Sequence, residues 1–317
     1  MVENCLSSEG GRRMSLFLHS NFQWVLVSTT VLGVALGAVG CLSYFRRQNL
    51  LSDCLAHAAL PGVVLAFLMT GEKNMPILIL GAAMSALLGS MLIQWITSSS
   101  IIKEDTAMGL VLSVFYGAGI MLLTIANRSG GNQSGLDTFI FGQAASMVRH
   151  DVITMTLMAI AVILIITLAL KEWKVYLFDP DFAKGLGISK KAMGFLYTLL
   201  LVTVIVIGIQ AVGVILIAAM LIIPSVSSRY WTNGFGKMLL ISSLFGGFSG
   251  ILGTTISALG KGWPTGPFII LSASCIFLTS LFFGKEKGLL ILYWKEQRSL
   301  VRKTKAKSQA FLPREVK

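Results

Sequence analysis

The sequence predicts an all-α polytopic membrane protein with about nine transmembrane helices. Three observations carry that reading. Only 13% of the 317 residues are charged, about half of the ~25% that a soluble domain uses to coat its surface. Mean hydropathy is +0.78, and several runs of about 18 residues or more hold almost no charge, enough to cross a bilayer as helices. Most of the basic residues, 20 of 26, fall between alternate runs. This pattern excludes a soluble enzyme, a DNA-binding domain and a secreted disulfide scaffold.

Taken in order, the expected spans are Phe22–Phe45, Leu50–Thr70, Met75–Ile96, Ala107–Ala126 and Val152–Leu170, then Ala192–Ser228, Met238–Leu259 and Pro267–Phe283. The Ala192–Ser228 stretch holds 37 residues, whereas one helix crosses the hydrocarbon with about 20. Gly208 and Gly213 punctuate it, so two short spans meeting near Gln210 are expected. With nine spans and an outside N-terminus, 20 of the 26 Lys and Arg are cytoplasmic, as the positive-inside rule requires. A single span over Ala192–Ser228 would expel either the basic tail or the Lys171–Lys191 loop. Arg12 and Arg13 precede the first span. That run is too long for a signal-peptide core and ends on Arg46-Arg47, so it is expected to stay as a helix. Met14 is an alternative start. The expected organisation is an extracytoplasmic segment 1–21, a transmembrane body 22–284 with a cytoplasmic loop at 171–191, and a basic cytoplasmic tail 285–317.

The formal charge of +12 does not point to nucleic acid. The tail alone contributes +7, and its aromatics are only Tyr293, Trp294 and Phe311, too few to stack bases along a basic track. The cysteines, Cys5, Cys41, Cys54 and Cys275, form no C-x-x-C pair, so neither a disulfide framework nor a zinc knuckle is implied.

Asp53 is the only acid of 14, and His57 the only histidine of three, inside an expected span. At i and i+4 they share one helix face. An ionisable residue in a membrane is costly and points to function. A carboxylate oxygen with an imidazole nitrogen suits manganese(II), iron(II) or zinc(II). The competing reading makes Asp53 the N-cap of the second helix, with His57 bonded to it. Two ligands are too few for tight capture, which suits a conduit that must release its ion.

Pro61-Gly62 follow on the same helix, and Pro224 interrupts the seventh span. Proline in a helix removes a hydrogen bond and frees a carbonyl. Such breaks often line transport paths, although a kink set by packing alone gives the same sequence. In the Lys171–Lys191 loop, Asp179 or Asp181 can cap a short helix. Phe182, Leu186 and Ile188 would share its apolar side, and Gly187 would stop it. Such a helix can dock in a partner's groove or lie on lipid headgroups.

These segments resemble the membrane subunit of manganese/zinc/iron ABC importers. Asp53-Cys54-Leu55-Ala56-His57-Ala58-Ala59-Leu60-Pro61-Gly62 matches that family's Asp, His-Ala and Leu-Pro-Gly signature. Cys54 stands where Ala is usual and Ala56 where Ser is commonest. Lys103-Glu104-Asp105-Thr106-Ala107-Met108-Gly109 matches a cytoplasmic motif, and Leu136-Asp137 through Phe141-Gly142-Gln143 an outer-loop motif. Asp179 through Ile188, including Ala183 and Gly185, matches the ATPase-coupling loop. Ala211-Val212-Gly213-Val214 through Pro224 and Pro264-Thr265-Gly266-Pro267 match later helices. The resemblance covers roughly residues 20–285 and leaves out the tail.

The resemblance implies a cobalamin-importer-like permease fold in the bacterial inner membrane and passage of a divalent metal past Asp53 and His57. The metal is cargo, and no permanently bound cofactor is expected. The implied partners are a cytoplasmic ABC ATPase, an extracytoplasmic metal-binding protein and a second permease copy or paralogue. The chain has no G-x-x-x-x-G-K-[ST] loop of its own, so it is expected to transport rather than catalyse. The alternatives are a proton-coupled secondary carrier, which would have no ATPase to dock at Phe182, and a structural subunit, which would need no Asp–His pair.

Overall fold

The computed structural model describes residues 20–71, 75–128, 149–260 and 263–291. The outer-loop motif Leu136–Gln143, Cys5, Met14, most of the N-terminal segment and the tail beyond residue 291 lie outside the described residues. The described residues form helices α1 (Ser20–Arg46), α2 (Asn49–Thr70), α3 (Met75–Ser99), α4 (Glu104–Arg128), α5 (Arg149–Leu168), α6 (Leu170–Phe178), α7 (Pro180–Gly185), α8 (Lys190–Val212), α9 (Val214–Arg229), α10 (Phe235–Leu259) and α11 (Thr265–Phe283). Among the described residues, eight of these are long and apolar enough to span a membrane, and α9 is a shorter apolar helix.

The long apolar stretch does divide in two, but at Gly213 rather than near Gln210. Gly213 takes φ +95°, a conformation that side-chain-bearing residues avoid, and the chain reverses there. The halves are unequal. α8 has 23 residues and crosses fully, while α9 has 16, about 24 Å of helix.

α1 packs chiefly against α10, α5 and α9, and α2 against α3, α4 and α9. The α1–α10 approach is backbone on backbone: a Cβ on Gly33 would lie 2.3 Å from the Gly246 carbonyl oxygen. Small residues let transmembrane helices meet this closely, replacing a hydrophobic drive that lipid cannot supply. The Oγ of Ser242 donates to the Gly37 carbonyl at 2.7 Å, adding a polar tie across the same seam.

Every connection expected on the cytoplasmic side gathers at one end. Phe45, Phe178 and Phe235 form a ring cluster with centroids 5.3 to 6.3 Å apart. Gln48 donates to Glu104. The Glu286 amide donates to the Tyr230 carbonyl at 2.9 Å, and Asn233 donates to the Glu286 carboxylate. At the opposite end the Arg149 guanidinium lies over the Trp24 ring. The alternation of helix directions therefore follows the charge pattern.

The Lys171–Lys191 segment is more ordered than a loop. α5 continues after a single turn residue into α6, pinned by the fully buried Trp173. Trp173, Tyr176 and Leu177 stand at i, i+3 and i+4, a helical signal that the charged neighbours obscure.

Candidate metal conduit and coupling helix

α2 begins at Asn49 behind Gln48, which makes no side-chain cap. Asp53 is thus the fifth residue of the helix and cannot cap it. The capping alternative fails, since an N-cap must precede the first helical residue. Between Leu51 and Val64 every residue is buried except Asp53 and His57. α3, α4 and α9 enclose the rest.

His57 Nε2 lies 3.6 Å from Asp53 Oδ1, with side chains 17% and 39% exposed. That is too long for a hydrogen bond. Two ligands about 2.1 Å from one tetrahedral ion would lie ~3.4 Å apart, so the spacing suits a bracketed ion better than a direct bond. His57 Nδ1 is buried without a hydrogen-bond partner among the described residues. The Tyr116 ring of α4 meets the imidazole edge-on at 4.8 Å and fixes its plane. Pro61 has no N–H to give the carbonyl four residues back, which belongs to His57 itself. A carboxylate, an imidazole and a freed carbonyl thus share two residues. Among the described residues no cluster of three or more His, Cys, Asp or Glu surrounds them.

Pro61, Gly62 and Pro224 are buried. A Cβ on Gly62 would lie 2.1 Å from the Gly81 carbonyl oxygen, so Gly62 serves the α2–α3 packing. Pro224 likewise leaves the Met220 carbonyl without its i+4 donor, within the bundle. Cys54 is buried beside Asp53, its Sγ donating to the Met108 carbonyl at 3.3 Å.

The segment expected to couple to an ATPase forms as α7. Asp179 is its cap, accepting from the Phe182 amide at 2.9 Å, with Pro180 at the first position. Asp181 instead accepts from Lys190 Nζ at 2.8 Å. That hydrogen bond and the charge behind it hold its carboxyl below the usual range. Ala183 is buried, while Phe182 and Leu186 are 57% and 58% exposed. A Cβ on Gly185 would meet nothing within 4 Å, and Gly187 turns the chain at φ +82°. Ile188 is half-buried and packs on the core, because the turn at Gly187 directs it inward. The exposed apolar pair is therefore Phe182 and Leu186, not a trio.

The contacts of two residues were not foreseen in the sequence: those of Tyr116, and those of Arg46 at the end of α1. Arg46 Nε donates to Gln48 Oε1 at 2.8 Å and its NH1 to the Tyr176 hydroxyl at 3.0 Å. The guanidinium lies 4.4 Å from the Tyr197 ring centroid. It joins α6, α8 and the start of α2 in one contact set. A lone tyrosine in a span, and an arginine paired with a tyrosine 130 positions away, leave no local sequence signal.

The model of the ABC 3 transport family matches residues 18–284. The chain belongs to the ABC 3 transport family. Two relatives within it are the manganese transport system membrane protein MntC of Bacillus subtilis, 49% identical over 272 residues, and the zinc transport system membrane protein TroC of Treponema pallidum, 41% identical over 286. The matched regions cover 86% and 90% of this chain. They cover 62% of the Bacillus protein's length and 96% of the Treponema protein's. A solved structure of PsaBC from Streptococcus pneumoniae in complex with Fab superposes with a TM-score of 0.78 at 31% identity, covering 89% of this chain and 99% of that one.

Proposed function

We propose that this ABC 3 family chain is the membrane-spanning subunit of an importer that carries a divalent transition metal, manganese, zinc or iron, through the plasma membrane into the cell. The observation that carries the reading is the Asp53–His57 pair. It supplies the only unburied positions along 14 residues of an otherwise enclosed helix. A partial set of one carboxylate and one imidazole passes an ion on rather than storing it. The names of the Bacillus and Treponema relatives favour manganese and zinc as cargo.

A cytoplasmic ABC ATPase supplies the energy and docks on Phe182 and Leu186 of α7. An extracytoplasmic metal-binding protein delivers the ion. A second copy or paralogue packs on the open α2–α4 face, where Gly109, Ser113 and Gly117 stand four apart and exposed beside Tyr116. Small residues at that spacing suit close helix contact, and the partner's groups complete the metal's coordination. Residues 22–284 form the transport body, with 1–21 outside and 285–317 in the cytoplasm. Family membership speaks against the proton-coupled carrier.

The test is uptake of radiolabelled manganese, zinc or iron into proteoliposomes holding this chain and its ATPase. Accumulation should require ATP. Accumulation driven by a proton gradient without ATP would overturn the reading.

A further inference from the structure

A cavity of about 620 Å³ opens between α3 and α8 at the cytoplasmic end. Three cations line it, Arg46, Lys190 and Lys191, against one acid, Glu104. Glu104 is already engaged by Gln48, Lys190 by Asp181, and Arg46 by Gln48 and Tyr176. Lys191 makes no ion pair among the described residues. The lining therefore keeps a net positive charge that the protein does not compensate. Its other walls mix polar Ser90, Gln94, Thr97 and Thr198 with apolar Leu51, Ile93 and Phe195.

The surroundings add the second half of an amphiphile's site. At the same level Trp95 and Phe195 are 66% and 56% exposed, as aromatics are at a membrane interface. One turn deeper on the same two helices, Leu92 and Leu199 are 39% and 40% exposed. Basic pockets between transmembrane helices on the cytoplasmic side suit phospholipid headgroups. We infer that this cavity holds the phosphodiester headgroup of an anionic phospholipid of the cytoplasmic leaflet. The phosphate sits by Lys191, and the acyl chains run along Leu92 and Leu199. The inference rests on the membrane orientation and is independent of the metal site.

The test uses the full chain in nanodiscs of equal phosphatidylglycerol and phosphatidylcholine, with bound lipid counted by mass spectrometry after detergent extraction. Wild type should retain phosphatidylglycerol over phosphatidylcholine. Lys191 is the cation placed at the phosphate, so Lys191→Gln should cut the retained excess roughly fivefold, while Lys191→Arg keeps it. Lys237→Gln removes the same charge from the same side, outside the cavity, and should change nothing. Equal retention by Lys191→Gln, or equal loss by Lys237→Gln, would overturn the site. A second arm titrates inorganic phosphate into lipid-free protein. Lys191-dependent phosphate binding there would show a free-phosphate site and overturn the lipid assignment, whereas none supports it.

Discussion

Replacing Arg46 by methionine keeps an unbranched stem of similar length but removes the guanidinium that ties α6 to the turn before α2. Three contacts go with it: the bonds to Gln48 at 2.8 Å and to the Tyr176 hydroxyl at 3.0 Å, and the stacking 4.4 Å from the Tyr197 centroid. Hydrogen bonds to a charged group contribute about 1.5 kcal/mol each at the low end. That end applies to a half-buried side chain. A cation over a buried ring adds ~1 kcal/mol. The tie is thus worth about 4 kcal/mol, or nearly three decades in its opening equilibrium. Tyr176→Phe removes only one bond, about 1.5 kcal/mol or roughly tenfold. Because α6 leads directly into α7, a loosened tie should let the ATPase cycle without moving α2. The assay is ATP hydrolysed per metal ion carried in proteoliposomes holding the ATPase. Arg46→Met should keep hydrolysis and lose most transport. Tyr176→Phe should show a smaller loss, and the double variant should be no worse than Arg46→Met alone. Wild-type stoichiometry in Arg46→Met, or strictly additive losses, would refute the linkage.

Phe182→Asp puts a charge on the exposed apolar pair of α7. An anchor of this kind contributes ~2 kcal/mol or more, so ATPase co-purification should fall at least tenfold while membrane insertion persists. Gly33→Leu forces α1 from α10, because even its Cβ would overlap the Gly246 carbonyl. It should destabilise by about 1–3 kcal/mol or more, read as earlier thermal unfolding in detergent. Gly236→Ala, with open space around it, should unfold no earlier than wild type. In a cysteine-free background, a cysteine at His150 should react with an impermeant maleimide from outside intact cells. One at Ser100 should react only after permeabilisation, and the reverse pattern would invert the topology.

Composition and charge placement make the membrane class and the alternation of helices legible, since span length and loop charge are local properties. The division of the Ala192–Ser228 stretch is legible for the same reason, but its position is not. Gly208 and Gly213 look alike in sequence, and only packing decides that Gly213 takes the positive φ. The Asp53–His57 pair stands out because an ionisable pair is rare among apolar residues. The choice between capping and lining depends on where α2 begins, and Gln48 carries no signature that fixes the start. Ile188 reads as part of an exposed face under helical spacing, but α7 ends at Gly185 and the chain turns at Gly187, just before it. Arg46 and Tyr116 owe their places to residues more than 50 positions away, which no local pattern encodes.

The central claim is that Asp53 contacts the passing metal. Asp53→Asn keeps the shape of a side chain that is 39% exposed, sits on the fifth residue of α2 and caps nothing, so folding has little reason to change. It removes only the negative charge. The decisive measurement is ATP-driven uptake of radiolabelled manganese and zinc by Asp53→Asn at matched membrane levels, with His57→Ala beside it and ATPase binding as the control. The account predicts at least a tenfold loss of uptake in both variants with the ATPase still bound. Near-normal uptake of both metals in Asp53→Asn would contradict it.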